Sequence, residues 1–412
     1  MAEKGGANGA NIGNTPFTID WLVDLLKKSS PQHDHDSVKL KEFTFEDITG
    51  GIGFLSTILR IKFTWNKSTS DLPNSIILKI PGMTNADGHF ARLPWTAEES
   101  AMMAKAKEAE TMEEQLGFAI VMHKNEMTFY EFFGGDKTVV PMPKYYFGRE
   151  YDPVNESEGI IVMEDLSHGT AMAQLADGLN IKQVEAIVEQ LAVLHVQSLA
   201  SSDWLDKFPE NEAMAKKGPP IMMAVASMLT RVKPEWFSGL FEKVAPMYTR
   251  EKLAEIQSSF EAIGMSPVLV HGDLWTSNML WAANEKNEAS DNLIAIIDWQ
   301  MAHPGNCCED IARVLLSSVD GQLRREHTEH ILRVYHMKLT NLSQGAPPFT
   351  FEQVQLAYKA ILPYALLILL FGTPMYINID AIVDGPTKLE RQEQLLLRAR
   401  LALEDVIELL GL

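Results

Sequence analysis

The spacing of apolar residues changes from helical to strand-like within the first third of the chain. Residues 17–28 carry apolar side chains at helical intervals, and Thr18 is a candidate N-cap for this helix. Between residues 59 and 65, Leu, Ile, Phe and Trp alternate with Arg, Lys and Thr, which predicts a half-buried antiparallel strand. Further strands are predicted at residues 75–81, 143–148 and 159–163, and helical structure at 97–133.

Helical periodicity dominates the rest of the chain and is interrupted by one group of short strands. Helices are predicted at residues 181–200, 221–264, 309–318, 324–340, 351–371 and 387–410. Strands are predicted at residues 268–270, 278–281 and 293–297, and polar residues gather at their ends. A strand-rich first part followed by a helical second part predicts an α+β fold.

The overall composition is that of a folded, water-soluble protein. The chain has 412 residues, enough for two lobes with separate cores, and 46% of them are apolar. The formal net charge is -19 and Lys and Arg form no cluster, so a nucleic-acid partner is not expected. An anionic nucleotide would need a local site made of backbone N–H groups, a lysine and a metal ion.

Several features bear on the cellular compartment. The two cysteines, Cys307 and Cys308, are adjacent and cannot form a disulfide framework, so a reducing, cytoplasmic environment is expected. Residues 1–16 lack the apolar stretch of a secretory signal and are predicted to be a flexible tail. The longest apolar run, residues 361–371, is too short to cross a bilayer and predicts a buried helix. No membrane span and no obligate protein partner are expected.

Oxygen-bearing side chains follow two of the short strands. Asp273 and Asn278 lie in VLVHGDLWTSNMLW, and Asp298 directly follows the apolar strand of LIAIIDWQ. Carboxylate and amide oxygens suit Mg²⁺, and phosphoryl transfer needs one carboxylate to orient the attacking hydroxyl and others to hold metal on the phosphates. The alternative is structural: Asp and Asn commonly cap turns, and Asp298 could cap a helix. The Asp273–Asn278 segment and Asp298 each follow an apolar strand, and the presence of both favours a catalytic role over a structural one.

The pattern HGDxxxxN, followed by an aspartate that ends an apolar strand, resembles the signature of the aminoglycoside phosphotransferase and choline kinase superfamily. More closely, the chain resembles the choline-kinase-like and ecdysteroid-kinase-like proteins of invertebrates, from about residue 40 onward. This resemblance implies a bilobal protein-kinase-like fold. Its N-lobe would be an antiparallel sheet with a helix, spanning residues 17–165, and its mostly helical C-lobe would span residues 166–412.

The resemblance also implies roles for these side chains. Asp273 would orient the acceptor hydroxyl and take its proton, while Asn278 and Asp298 would bind Mg²⁺. His271 is expected to brace the loop without taking part in the chemistry. Gly272 stands where protein kinases carry an arginine that links catalysis to activation-loop phosphorylation, so this form of control is not expected.

The segment ITGGIGFLS is a candidate phosphate-binding loop. Gly50, Gly51 and Gly53 would let backbone N–H groups approach the phosphates of ATP, and Ser56 would add a hydroxyl. The loop departs from the kinase pattern G-x-G-x-x-G, and an ordinary glycine-rich hairpin is the alternative.

A lysine interrupts the apolar strand at residues 75–81. Burying Lys79 is costly unless it is paired or bound to an anion, and the resemblance implies that it contacts the α- and β-phosphates. Glu126 is the predicted helix partner that positions it, with Glu131 as the second choice. The alternatives are an edge-strand lysine that reaches solvent and a solvated helix face around Glu126.

The segment GIIVMEDL resembles the hinge that binds adenine, with Met163, Glu164 and Leu166 as the local candidates. Further on, Asp310 and Arg313 open a predicted helix. In related folds an aspartate at this place holds the catalytic loop from below. The alternative is an i,i+3 ion pair on the helix surface.

The sequence therefore predicts an ATP-dependent phosphotransferase that moves the γ-phosphoryl group to a hydroxyl of a small molecule, with ATP and Mg²⁺ bound between the lobes. Choline-like, steroid, sugar and xenobiotic alcohols all remain open as acceptors. One alternative is a pseudokinase that binds a nucleotide or partner without catalysis. A metal-dependent hydrolase is a weaker alternative, since it leaves Lys79 unexplained.

Overall fold

A computed structural model describes most of the chain. The described residues are 3–4, 11–30, 37–49, 56–67, 71–82, 88, 90–108, 112–135, 140–152, 155–208 and 212–412. Gly50, Gly51 and Gly53 of the predicted phosphate-binding loop lie outside them. The architecture is the predicted one, with an antiparallel sheet in the N-terminal part and a helical C-terminal part.

The N-terminal part is built on one six-stranded antiparallel sheet with the strand order β1-β2-β3-β4-β6-β5. Alternating burial along β3 confirms the predicted strand with one face in the core. The strands are β1 Glu3–Lys4, β2 Leu40–Asp47, β3 Ser56–Trp65, β4 Ser75–Pro81, β5 Tyr145–Arg149 and β6 Ile160–Glu164.

In the described part of the chain, longer helices accompany this sheet. They are α1 Ile19–Lys28, α2 Ala97–Glu108 and α3 Met112–Phe133. The predicted N-cap of α1 is confirmed, because the Thr18 hydroxyl accepts a hydrogen bond from the backbone N–H of Trp21. Leu22 and Leu26 of α1 pack on the apolar face of the sheet. The helical segment predicted at residues 97–133 forms two helices.

The C-terminal part is mostly helical. Its helices are α4 Ile181–Leu199, α5 Glu212–Ser227, α6 Leu229–Val232, α7 Pro234–Phe237, α8 Phe241–Val244, α9 Arg250–Ala262, α10 Glu309–Ser318, α11 Gly321–Leu342, α12 Phe351–Tyr376, α13 Asp380–Val383 and α14 Lys388–Leu410. The continuous helical segment predicted at residues 221–264 is wrong in detail, since it consists of several short helices. Pro234 starts α7 at its first turn and so separates it from α6.

Helix α12 is the one described helix whose length and composition would suit a membrane span. The structure instead packs it in the C-terminal core, with 61% of its most apolar window buried. This agrees with the buried helix predicted at residues 361–371.

Short strands of the C-terminal part position the candidate site. They are β7 Thr170–Ala171, β8 Val268–Val270, β9 Met279–Ala283, β10 Ala289–Ile296 and β11 His303–Gly305. Strand β9 lies between β10 and β7, and β8 pairs with β11. All of these pairs are antiparallel. The segments that follow β8 and β10 carry the oxygen-bearing side chains singled out in the sequence.

Besides the main core, a small apolar cluster joins the two parts. We call it the interlobe bridge, formed by Phe90, Leu93 and Trp95 from the N-terminal part and Val225, Met228, Phe371 and Met375 from the C-terminal part. At its edge, Arg231 donates two hydrogen bonds to the carboxylate of Glu99, at 2.9 and 3.0 Å. Residues 90–95 are therefore docked on α5 and α12.

Candidate active site

The loop after β8 carries Asp273. Gly272 precedes it with a φ of +82°, and a Cβ atom there would collide with the carbonyl oxygen of Met301. Only glycine adopts this conformation without strain and leaves room for the crossing chain. The Asp273 carboxylate is 30% exposed and accepts a hydrogen bond from Nη2 of Arg313 at 3.0 Å.

His271 ties this loop to the second strand end. Its Nε2 donates to the carbonyl oxygen of Ile297 at 3.0 Å, and its Nδ1 accepts from the backbone N–H of Asp273 at 3.2 Å. Burial lowers the pKa of His271 to about 4, so the ring is neutral and these two bonds define its tautomer. The predicted bracing role of His271 agrees with this geometry.

Asp310 holds the same loop from the first turn of α10. Its two carboxylate oxygens accept from the backbone N–H groups of His271, at 2.7 Å, and Gly272, at 3.0 Å. Burial raises the pKa of Asp310 to about 7, although both N–H groups oppose the shift. The alternative of a surface ion pair between Asp310 and Arg313 is wrong, because both side chains are buried and both face the loop.

Asn278 and Asp298 carry oxygen atoms of the kind that bind magnesium ions. The Nδ2 of Asn278 donates to the carbonyl oxygen of Asp273 at 2.8 Å, so this bond does not use Oδ1. Asp298 presents a half-exposed carboxylate, whose Oδ2 is approached by Gln300 at 3.5 Å. Mg²⁺ prefers such hard oxygen ligands and needs few of them.

The backbone of Asp298 has an uncommon conformation. Its φ and ψ of 69° and 57° are left-handed, a conformation that costs a non-glycine residue about 1–3 kcal/mol. The turn is held by Trp299, whose buried ring stacks on Phe129 of α3 with centroids 3.6 Å apart. Helix α3 therefore supports the position of Asp298.

Lys79 of β4 connects the sheet to both acids. Its ammonium group contacts the carboxylates of Glu126 and Asp298. Burial opposes the charge, but Asp298 and Glu126 keep the pKa of Lys79 above its ordinary value. Glu126 is thus the partner of Lys79, as predicted, while Glu131 is exposed on the same helix. The alternative of a solvent-directed Lys79 is wrong, because the residue is 7% exposed.

The pKa of Asp273, the candidate catalytic carboxylate, differs from its ordinary value. Burial raises the pKa of Asp273 to about 6, and the Asp298 carboxylate acts in the same direction. The guanidinium group of Arg313 opposes this shift. Asp273 can therefore exist in both protonation states near neutral pH, as a proton acceptor requires.

The remaining predicted contacts lie around the end of β6. Met163 is buried against the core, and the Glu164 carboxylate accepts from the backbone N–H of Lys144 at 3.0 Å. The carbonyl oxygen of Leu166 accepts from the Thr170 hydroxyl. Ser56 is buried at the start of β3, opposite Pro81. Contact of these residues with adenine or phosphate stays a prediction.

Sequence reasoning missed the contacts that surround Asp273. Arg313 reaches it across 40 residues of sequence and also donates to the Tyr376 hydroxyl at 3.3 Å. Trp275 stacks on the Tyr376 ring with centroids 5.1 Å apart. The helical spacing of α10 placed Arg313 one turn after Asp310, but only the packing of α10 on the loop shows what it touches.

Comparison with known proteins identifies the family. A profile of the family DUF1679, described as "Uncharacterized oxidoreductase dhs-27", matches residues 21–410. The Caenorhabditis elegans protein "Uncharacterized oxidoreductase dhs-27" is 30% identical over 338 residues, which are 80% of this chain but 38% of that protein. This chain thus corresponds to well under half of that relative's length.

Two further proteins are similar in sequence or in fold. The C. elegans "Uncharacterized kinase-like protein D1044.1" is 26% identical over 308 residues, covering 73% of this chain and 80% of that protein. The crystal structure of choline kinase from Cryptosporidium parvum superposes with a TM-score of 0.50 at 12% identity, covering 94% and 96% of the two chains. The chain therefore belongs to the DUF1679 family, and it has the protein-kinase-like fold of choline kinase.

Proposed function

We propose that this protein transfers the γ-phosphoryl group of ATP to a hydroxyl of a small molecule. The observation that carries the proposal is the contact of Lys79 with both Glu126 and Asp298, because it joins the sheet to the strand ends that also present Asp273 and Asn278. A cation, two metal-ligand candidates and a proton acceptor are the parts that phosphoryl transfer needs.

Each side chain has a task in this reaction. Asp273 orients the acceptor hydroxyl and takes its proton as the oxygen attacks the γ-phosphorus. The bond from that phosphorus to the bridging oxygen breaks, and ADP leaves. Lys79, held by Glu126, neutralises charge on the phosphates. Asn278 and Asp298 would hold Mg²⁺, which supplies further neutralisation of phosphate charge. The catalytic contribution of the protein is positioning and electrostatics.

The test is a screen of alcohols for ATP-dependent mass gain of one phosphate, followed by variants. We expect Asp273→Asn and Asp298→Ala each to abolish transfer. Asp291→Asn is the matched control, because Asp291 is an exposed carboxylate on the strand that leads to Asp298 and bonds only Asn180 among the described residues. Unchanged turnover in either active-site variant, with a true acceptor, would refute the proposal.

Two other functions predict different results. A pseudokinase would bind nucleotide without any phosphate transfer, and a metal-dependent hydrolase would act without ATP. The buried Lys79–Glu126 pair favours a kinase over both, since a hydrolase has no use for it and a degenerate kinase has commonly lost one of these groups. We propose a cytoplasmic location on the basis of the cysteine content.

The oxidoreductase name of one relative does not extend to this chain. Dinucleotide-binding domains use parallel strands with crossover helices, whereas every described strand pair of this chain is antiparallel. The match also leaves most of that relative uncovered. We therefore propose phosphoryl transfer for the part of the relative that this chain resembles.

A further inference from the structure

The predicted adenine-binding hinge contains an acid, Asp165, whose carboxylate turns into the protein. Its side chain is 4% exposed, and Oδ1 accepts a hydrogen bond from the backbone N–H of Ser167 at 3.0 Å. The second oxygen, Oδ2, lies 3.2 Å from Nε of Arg60 on β3. Asp165 stands between Glu164 and Leu166, two of the residues predicted to contact adenine, but sequence reasoning gave it no role.

The surroundings of this carboxylate favour its ionised form. Burial would raise the pKa of Asp165, but the hydroxyl and N–H groups of Ser167, the hydroxyl of Ser75 and the guanidinium group of Arg60 together lower it. Asp165 therefore carries a negative charge at neutral pH. A buried charge is stable only while its partners stay in place, so this one fixes the hinge relative to β3 and β4.

The partners of Asp165 lie on the face of the sheet that carries Lys79. Ser75, Ile77 and Lys79 alternate along β4 and so point to one face. Arg60 is directly opposite Ile77, so its side chain lies on that face too. The contacts of Asp165 therefore attach the hinge to one end of β4, and Lys79 follows about 13 Å further along that strand.

The acid before Asp165 attaches the hinge to another part of the sheet. The carboxylate of Glu164 accepts from the backbone N–H of Lys144 at 3.0 Å, and the backbone N–H of Glu164 donates to the Lys144 carbonyl oxygen at 2.8 Å. Lys144 directly precedes β5. Because both acids direct their side chains to the sheet, a base at the hinge would meet the hinge backbone.

We propose that Asp165 is a positioning residue for the nucleotide. A nucleotide between the lobes is held at two places, with its base on the hinge and its phosphates at Lys79, so the separation of these places decides how well it fits. Asp165 fixes this separation through Arg60 and Ser75. This inference rests on the proposed function, and it assigns affinity for the base to a side chain that does not itself contact the nucleotide.

The test separates binding of the base from binding of the phosphates. Calorimetry measures the affinity of the full chain, with Mg²⁺, for ADP and for inorganic tripolyphosphate, which has no base. We expect Asp165→Asn, which removes the charge and keeps the size of the side chain, to weaken ADP binding about tenfold and to leave tripolyphosphate binding within about twofold. A variant that had lost its fold would bind both probes less tightly.

Kinetics with an acceptor from the alcohol screen give a second measurement. The KM for ATP should rise about tenfold in Asp165→Asn, while kcat at saturating ATP stays within about twofold. The reason is that Lys79, Asp273 and Asp298 are unchanged in this variant. A residue that only stabilised the fold would not separate KM from kcat in this way.

Arg60 supplies a partner variant, and Glu46 supplies the control. Arg60→Gln should also weaken ADP binding, and the double variant should lose less than the sum of the two single changes, because both break one ion pair. Glu46 of β2 is a partly exposed carboxylate 3.9 Å from the same guanidinium group, so Glu46→Gln tests Arg60 without changing its contact with the hinge. It should leave ADP affinity unchanged. If Asp165→Asn fails to fold, Arg60→Gln decides.

Unchanged ADP affinity in the Asp165 and Arg60 variants, an equal loss for tripolyphosphate, or an equal loss in Glu46→Gln would overturn this inference. Failure of the proposed function gives a different result. In that case the unmodified protein transfers no phosphate, yet it binds ADP and Asp165→Asn still weakens that binding. An unmodified protein that does not bind ADP would contradict both.

Discussion

The imidazole of His303 has an acceptor at each ring nitrogen. Nδ1 lies 2.8 Å from the carbonyl oxygen of Met301, and Nε2 lies 3.3 Å from the carboxylate of Glu309. Both nitrogens must carry a proton to make both contacts, so the structure favours the imidazolium form. Burial alone would lower the pKa of His303, but Glu309, and to a smaller extent Asp310, raise it to about 9.

This charge makes stability depend on pH. The pKa of His303 is higher in the folded than in the unfolded protein, so its contribution is fully present below about pH 6.5 and is lost as the pH rises through 9. We expect the free energy of unfolding, measured by urea titration, to fall between pH 6.5 and 9. The slope should be a fraction of the about 1.4 kcal/mol per pH unit of one full proton, because the ring is partly solvated.

Substitution of single histidines tests whether His303 causes this pH dependence of stability. His303→Gln should flatten the stability profile above pH 6.5. His330→Gln should leave it unchanged, since His330 is an exposed histidine paired with Glu185. Equal slopes in the His303 variant and the unmodified protein would contradict the assignment.

At the scale of secondary-structure elements, the start of α10 holds the catalytic loop. Asp310 accepts from two consecutive backbone N–H groups, and an asparagine there would turn an N–H group toward one of them. We expect Asp310→Asn to lower the free energy of unfolding by about 1–3 kcal/mol and to reduce turnover, because a buried donor loses its acceptor and the loop shifts. Chemical denaturation and the phosphate-transfer assay measure the two effects.

The N-cap of α11 supplies the control for this substitution. Asp320 also accepts from two backbone N–H groups, those of Gln322 and Leu323, but it is exposed. Asparagine is as good an N-cap as aspartate, so Asp320→Asn should change stability little and turnover not at all. Similar losses in both variants would show that Asp310 acts only as a helix cap.

Some elements and site residues could be predicted from the sequence because their signals are local. A strand that ends in a carboxylate identified Asp273 and Asp298, and a lysine inside an apolar strand identified Lys79. Arg313 could not be assigned in this way. Its partner lies 40 residues away, and helical spacing gives the face of α10 but not the loop packed against that face.

The breaks between the short helices around residues 229–262 were missed for a related reason. Their apolar spacing stays helical, whereas the helices are interrupted at Pro234 and at ends without a side-chain cap. The spacing of apolar residues indicates which residues are buried. It does not reveal where one helix ends and the next begins, as long as the same residues stay buried.

At the scale of the whole molecule, the interlobe bridge attaches the two parts to each other in addition to the Lys79–Asp298 contact and the stacking of Phe129 on Trp299. Leu93 is buried in it, and Leu93→Ala should weaken docking by about 2–3 kcal/mol, as for other buried leucines. We expect faster hydrogen exchange in residues 90–108 and a higher KM for the acceptor. Unchanged exchange in that segment would show that the bridge does not hold it.

The ion pair at the edge of the bridge should matter less. Arg231 is 40% exposed, and exposed ion pairs contribute about 0–1 kcal/mol. Arg231→Ala should therefore leave exchange in residues 90–108 close to that of the unmodified protein. If hydrogen exchange in residues 90–108 increased more in Arg231→Ala than in Leu93→Ala, the ion pair and not the apolar contact would hold this segment.

The bridge also has a kinetic consequence. Met375 of the bridge and Tyr376 beside Arg313 are consecutive residues of α12, so the docked segment and the acceptor end share one helical turn. Loss of the bridge contact would therefore act directly on the helical turn that carries Tyr376. We expect a variant that weakens the bridge to change how fast a wide alcohol reaches the site.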